Sequence, residues 1–113
     1  MTVSPCAPIP SICTAGGKGA SGTLYLTIEK GAWYGIPYRC LLPRNIDNLL
    51  VAGRAVSATS VAAAAIRVMP PAMAMGQAAG TAAVLALQNA VNPSAVDIKK
   101  LRKTLADDGV FLG

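Results

Sequence analysis

At 113 residues and 11.5 kDa the chain is one small domain or a part of a larger one. Hydrophobic residues make up 53% and charged residues 13%, with mean hydropathy +0.48, which excludes a disordered chain, while an alanine-heavy composition with 4% aromatics buries little area per residue and calls for a partner surface. Ten Lys and Arg against five Asp and Glu give a net charge of +5, suited to anionic partners, and the absence of histidine excludes His-dependent triads, His metal sites and His proton shuttles.

Residues 1–22 carry Pro5, Pro8 and Pro10, then Gly16, Gly17, Gly19 and Gly22, and are expected to form an extended arm. Residues 23–29 alternate and are β-rich, Lys30-Gly31 is a turn signal, and residues 32–42 form a second run. Together they predict a β-hairpin, with Pro37 at an edge or a strand start because it lacks an N–H. Residues 43–48 read as a polar turn. The apolar run Leu49-Leu50-Val51-Ala52, closed by Gly53, has the pattern of a buried parallel strand.

A small-residue stretch over 55–65 leads to Ile66, Arg67, Val68 and Met69. Pro70 and Pro71 suit a first helical turn, and no breaker but glycine follows before Asn89, which predicts a long helix. Ala72, Met75, Ala79, Ala83 and Ala86 form its apolar face, flanked by Gly76 and Gly80, so that another backbone or a ligand can approach closely. Asn92 and Pro93 break the chain. Asp97 then caps a last helix with the stripe Ile98, Leu101, Leu105, ended by Gly109. The run Lys99, Lys100, Arg102, Lys103 reads as a solvated face, since no aromatic residues interleave it as nucleic-acid binding would require.

Three motifs need weighing. Gly17-Lys18-Gly19-Ala20-Ser21-Gly22 matches G-x-G-x-x-G by letter, but prolines precede it and a β-type run follows, so a glycine loop is the better reading. Gly76-x-x-x-Gly80 sits in a charge-free stretch over 70–94, but alanine dominates it and Gln77, Thr81 and Gln88 interrupt it, which disfavours a membrane span. Cys6, Cys13 and Cys40 match no metal-ligand spacing and read as reduced thiols, no metal is expected, and residues 1–10 do not have the pattern of a targeting signal. More informative is a strand ending at Gly53-Arg54, followed by a helix starting just after Arg67. A helix N-terminus with two arginines suits a phosphate or a delocalised anion. The alternative is that Arg54 and Arg67 pair with surface carboxylates, and the residues alone leave both readings open.

Four blocks carry a family resemblance: Trp33-Tyr34-Gly35-Ile36-Pro37-Tyr38-Arg39-Cys40-Leu41-Leu42-Pro43, Ile46-Asp47-Asn48-Leu49-Leu50-Val51-Ala52-Gly53-Arg54, Ile66-Arg67-Val68-Met69-Pro70, and the run from Met73 to Ala83. In order and spacing they resemble the C-terminal end of bacterial FAD-dependent oxidoreductases distantly related to fumarate reductase and succinate dehydrogenase flavoproteins. The resemblance implies an α/β, partial FAD/NAD(P)-binding fold (hairpin, one buried strand, long small-faced helix, C-terminal helix) lacking the N-terminal βαβ unit and its glycine fingerprint. The implied divisions are an arm at 1–22, the end of a cap domain at 23–48, and the C-terminal part of an FAD-binding domain at 49–113. By similarity Gly53 and Arg54 approach the FAD pyrophosphate and ribitol. Ile66, Arg67, Val68 and Met69 lie at the flavin ring, with the helix N-terminus on its N1 and O2 edge, and Arg39 faces the substrate side. Members often carry polar residues, typically a His-Glu pair, where this chain has Ser60-Val61-Ala62-Ala63-Ala64-Ala65. The implied function is that of a C-terminal fragment of a cytoplasmic FAD-dependent oxidoreductase, not catalytic alone, whose partner is the missing N-terminal half or a second copy. The other class of reading is a non-enzymatic interaction module, a complementing subunit or a self-associating remnant.

Overall fold

The computed structural model describes residues 34–110 and Leu112 in full and three short strands before them as backbone. Those strands are β1 (Thr2–Val3), β2 (Ser11–Thr14) and β3 (Thr23–Leu26); β4 (Tyr34–Gly35) follows. They form two separate antiparallel pairs. β1 meets β4 with Thr2 opposite Gly35, and β2 meets β3 with Thr14 opposite Thr23. The expected hairpin between 23–29 and 32–42 is therefore corrected: β3 turns back on β2, not on β4. β2 carries β-branched Ile12 and Thr14 beyond the last of the N-terminal prolines, so it competes as a partner. The Gly17–Gly22 motif and the Lys30-Gly31 turn lie outside the described residues.

The second β run stops at Gly35 because Pro37 brings no N–H to a ladder. Its carbonyl instead accepts from the Cys40 N–H at 3.0 Å, opening a 3₁₀ turn over Tyr38–Leu41 that buries Leu41. The expected buried strand over 49–52 is a second correction. It is irregular chain, with Leu49 44% exposed, and the Val51 N–H donates to the Leu41 carbonyl at 2.8 Å. A buried strand needs ladder partners on both sides, and among the described residues no strand lies beside this one.

Three helices carry the core: α1 (Ser60–Ile66), α2 (Met69–Gln88) and α3 (Ile98–Asp107). α1 was not expected from the sequence. The Thr59 hydroxyl oxygen caps it, accepting from the Ala62 N–H at 3.3 Å, and four alanines, the best helix formers, follow. The prolines explain why α1 and α2 are two helices. A continuous helix would require Pro70 and Pro71 to donate to the Ile66 and Arg67 carbonyls, and neither has an N–H. The chain breaks there, with Val68 extended and Ala72 N–H donating to the Val68 carbonyl at 3.2 Å.

α2 is the long helix expected, but its buried line is Pro71, Met75, Ala78, Ala82, Leu85 and Ala86, turned about one residue from the face read off the sequence. α3 packs on that line through Leu101 and Leu105, and Ile36, Leu41, Ile66 and Val96 complete the core. Two tyrosines tie the layers: Tyr34 Oη donates to the Ala65 carbonyl at 3.0 Å and Tyr38 Oη to the Pro93 carbonyl at 2.8 Å. Among the described residues no helix is long and apolar enough to cross a membrane.

Candidate functional site

The α1–α2 break is where the expected cofactor residues gather. Arg54, Arg67, Val68 and Met69, with Pro70 and Ala72, line one open recess of about 710 Å³. Arg67 ends α1 in helical backbone geometry and is exposed, while Ile66, one residue earlier, points into the core and is 7% exposed. The proline-forced break is thus what turns the Arg67 side of the chain outward. Arg54 comes from a 3₁₀ turn, Gly53–Ala55, that packs against both α1 and α2. Gly53 opens that turn at φ +67°, a left-handed conformation that glycine adopts without strain, and open space lies where a Cβ would project. Gly53 adjoins the recess without forming its wall, and Ile66 lies behind it.

The electrostatics of the recess are one-sided. Two guanidinium groups and the positive end of a 20-residue helix converge on it, and among the described residues none in its wall is acidic. The prolines also restrict how it can bind. A helix N-terminus ordinarily presents several free amides, but Pro70 and Pro71 have none. Met69 alone in the first three positions keeps an N–H without an intrahelical acceptor. Attraction for an anion therefore comes from the arginines and the helix dipole, with one backbone donor, and not from the multi-amide cradle of a phosphate loop. Met69 is 78% exposed and adds an apolar, polarisable surface at the rim. This donor set fits a delocalised anion with an aromatic body.

A second open cavity of about 850 Å³ lies on the other side of the break, between the Tyr34–Cys40 segment and α1. Arg39 and Ile66 line it, so the structure does not bring Arg39 together with Arg67, Val68 and Met69. Tyr34 and Cys40 line it too, as do Ser57 and Thr59, which were missed from the sequence. Thr59 was legible as a cap ahead of an alanine run, and that signal would have placed α1 and this cavity.

The model of the family described as FAD dependent oxidoreductase matches residues 14–105. Nothing matches among the curated proteins or the solved structures. The match takes in the Arg54 turn, the Arg67 break, the whole of α2 and most of α3. By that match the chain belongs to the FAD-dependent oxidoreductase family, whose cofactor is FAD.

Proposed function

We propose that this chain is the C-terminal part of a cytoplasmic FAD-dependent oxidoreductase of the fumarate reductase and succinate dehydrogenase flavoprotein type, and that it supplies the wall facing the flavin. The observation that carries the reading is the recess at the α1–α2 break, where Arg54, Arg67, Val68 and Met69 share one wall with the N-terminus of α2. Bound FAD supplies two-electron redox chemistry; the residues of this chain bind and tune it. Arg54 would hold the anionic pyrophosphate, with the Gly53 backbone adjoining the recess. Arg67, the Met69 N–H and the α2 dipole favour negative charge on the flavin edge, which raises its affinity for electrons. The Val68 and Met69 side chains give the ring an apolar contact.

The reading also assigns the bare side of α2. Met69, Met73, Val84 and Leu87 lie there, all more than half exposed. The missing dinucleotide-binding half packs on this face in the complete enzyme, and the chain alone catalyses nothing.

The test is an FAD titration followed by flavin fluorescence, made on the full chain alone and with a separately produced chain bearing the glycine fingerprint. Saturable quenching in either setting is expected. The double variant R54Q/R67Q should weaken it at least about tenfold, the size expected for lost charge-assisted hydrogen bonds. Quenching indifferent to both arginines, or absent in both settings, overturns the reading.

A further inference from the structure

We infer that the bare side of α2 is the contact surface of a two-fold dimer, in which a second copy of this chain lays its own α2 antiparallel across it. The exposed residues Met69, Met73, Gly76, Gly80, Val84 and Leu87 follow one another at steps of three and four, so they form one continuous line along the helix. That line reads nearly the same from either end. Counted from Ala78, Met69 and Leu87 lie nine residues away on opposite sides, Gly76 and Gly80 two, and Met73 and Val84 five and six. Large apolar side chains therefore stand at both ends, with glycines between them.

A second copy is the partner this order fits, because an isologous contact needs a surface complementary to itself. With the helices antiparallel about Ala78, Met69 of one copy meets Leu87 of the other, Met73 meets Val84, and Gly76 meets Gly80. A Cβ at either glycine would meet nothing within 4 Å, so the middle of the line is open to another helix. Two helices crossing there come closest at the glycines and diverge toward their ends, where the longer side chains fill the widening gap. Charge agrees with the direction. Antiparallel pairing sets the positive N-terminus of α2, with Arg67 just ahead of it, beside the negative C-terminal end of the other helix. No charged residue lies between Arg67 and Asp97, so pairing along this line strips no charge of its water. Size sets the strength. A 20-residue helix is about 30 Å long and about 10–12 Å across, so one side offers on the order of 500 Å² per copy. The total of about 1,000 Å² is at the lower edge of specific interfaces, and Kd is then on the order of 10–100 µM. The dimer rests on this face and not on the flavin reading; the dinucleotide-binding half of that reading competes with the second copy for it.

The test is sedimentation equilibrium of the full chain from about 1 µM to about 500 µM, which should show a monomer–dimer equilibrium. Gly80→Leu fills the middle of the line while raising helix propensity, so it should weaken the dimer at least about tenfold and leave the urea midpoint of the monomer, taken at about 1 µM, no lower. Lys103→Gln on α3 should stay within about twofold of the unaltered chain. Isotope-filtered NOEs in an equal mixture of labelled and unlabelled chains should join the Met69 methyl of one copy to the Leu87 methyls of the other. A monomer throughout, assembly beyond two copies, a dimer indifferent to Gly80→Leu, or Met69–Met69 contacts between copies overturns the proposal. A chain that stays monomeric yet captures a chain bearing the glycine fingerprint overturns the dimer and leaves the reading above standing. A dimer of the expected order with no FAD quenching in either setting supports the dimer and overturns only the flavin reading.

Discussion

α2 and α3 lie against each other, yet only one of them divides its faces by polarity. α3 turns Leu101 and Leu105 inward and leaves Lys99, Lys100, Arg102 and Lys103 in solvent. Asp97 starts it, its carboxylate accepting from the Lys99 N–H at 2.8 Å. Only Ile98, in the first turn and 42% exposed, departs from that division. α2 has no such division. No charged residue occurs between Arg67 and Asp97, and the side opposite the core carries Met73 at 74% and Leu87 at 82% exposure. Gln77 and Gln88 are the only exposed polar side chains along it, and a helix so largely apolar on both sides is typical of an interior. Gly76 and Gly80 share that open side, and a Cβ at either would meet nothing within 4 Å. The difference teaches where the two helices stand: α3 separates a buried apolar stripe from a charged face, while α2, packed on α3, the Gly53–Ala55 turn and the Pro93–Ala95 turn, keeps an apolar side in the open.

The sharpest way to break that comparison is to cut equal side chains from the two faces of α2. Met75 is fully buried, and Met75→Ala should cost about 2–5 kcal/mol by urea unfolding, as should Leu105→Ala on α3. Met73→Ala, two residues from Met75 on the bare face, should change the stability of the chain alone by no more than about 0.5 kcal/mol. The same Met73→Ala should measurably weaken capture of a dinucleotide-binding half. Equal costs at positions 73 and 75 would mean that α2 is already enclosed.

The contact holding the α2–α3 connection gives a smaller effect. Tyr38 Oη donates to the Pro93 carbonyl at 2.8 Å, just ahead of α3. Tyr38→Phe removes the donor and leaves the Pro93 carbonyl only the longer bond from the Val96 N–H at 3.4 Å, at a cost of about 1 kcal/mol. Burial raises the Tyr38 pKa above the ordinary tyrosine value of 10.0. The unfolded chain therefore loses this proton first. The stability tied to the neutral hydroxyl is full below pH 10.0 and declines as pH rises through the folded-state pKa. Tyr38→Phe should flatten part of the decline in an alkaline series of urea midpoints, while Tyr34, shifted in the same direction, retains its share.

How well the sequence could be read follows the same division. The Asp97 cap, Leu101, Leu105 and Gly109 of α3 were legible, because capping and periodicity are local, whereas Ile98, expected in the same stripe, is 42% exposed in the first turn. The start of α2 and its near end were legible for the same reason, through Pro70, Pro71 and Asn89. Residues 49–52 were misread, since an apolar run encodes a strand only where neighbouring strands exist to accept it. The β pairing was misread because the nearest turn signal, Lys30-Gly31, does not decide which of several β-prone segments wins. At the site, Arg54 and Arg67–Met69 were legible as a group, while Ile66 faces the core. The reason is the break itself: consecutive residues at a helix end point to opposite sides, and a block read as one unit spans both.

The smallest effect tests the two helix ends against each other. Both helices close with the same pair of backbone bonds. At α3 the Gly109 N–H donates to the Ala106 carbonyl and the Val110 N–H to the Leu105 carbonyl, each at 2.9 Å. At α2 the Ala90 N–H donates to the Leu87 carbonyl at 3.2 Å and the Val91 N–H to the Ala86 carbonyl at 3.0 Å. The motif requires a left-handed residue after the cap. α3 supplies glycine, Gly109 at φ +81°, where α2 forces alanine, Ala90 at φ +51°. A Cβ in that region costs about 1 kcal/mol. Ala90→Gly should therefore stabilise the chain by about 1 kcal/mol, raising Tm by roughly 5 °C, and Gly109→Ala should lower it by a similar amount. Opposite shifts of comparable size would show that the two ends differ only in this one residue. A loss of stability in Ala90→Gly would mean that the end of α2, like its bare face, is shaped for a neighbour.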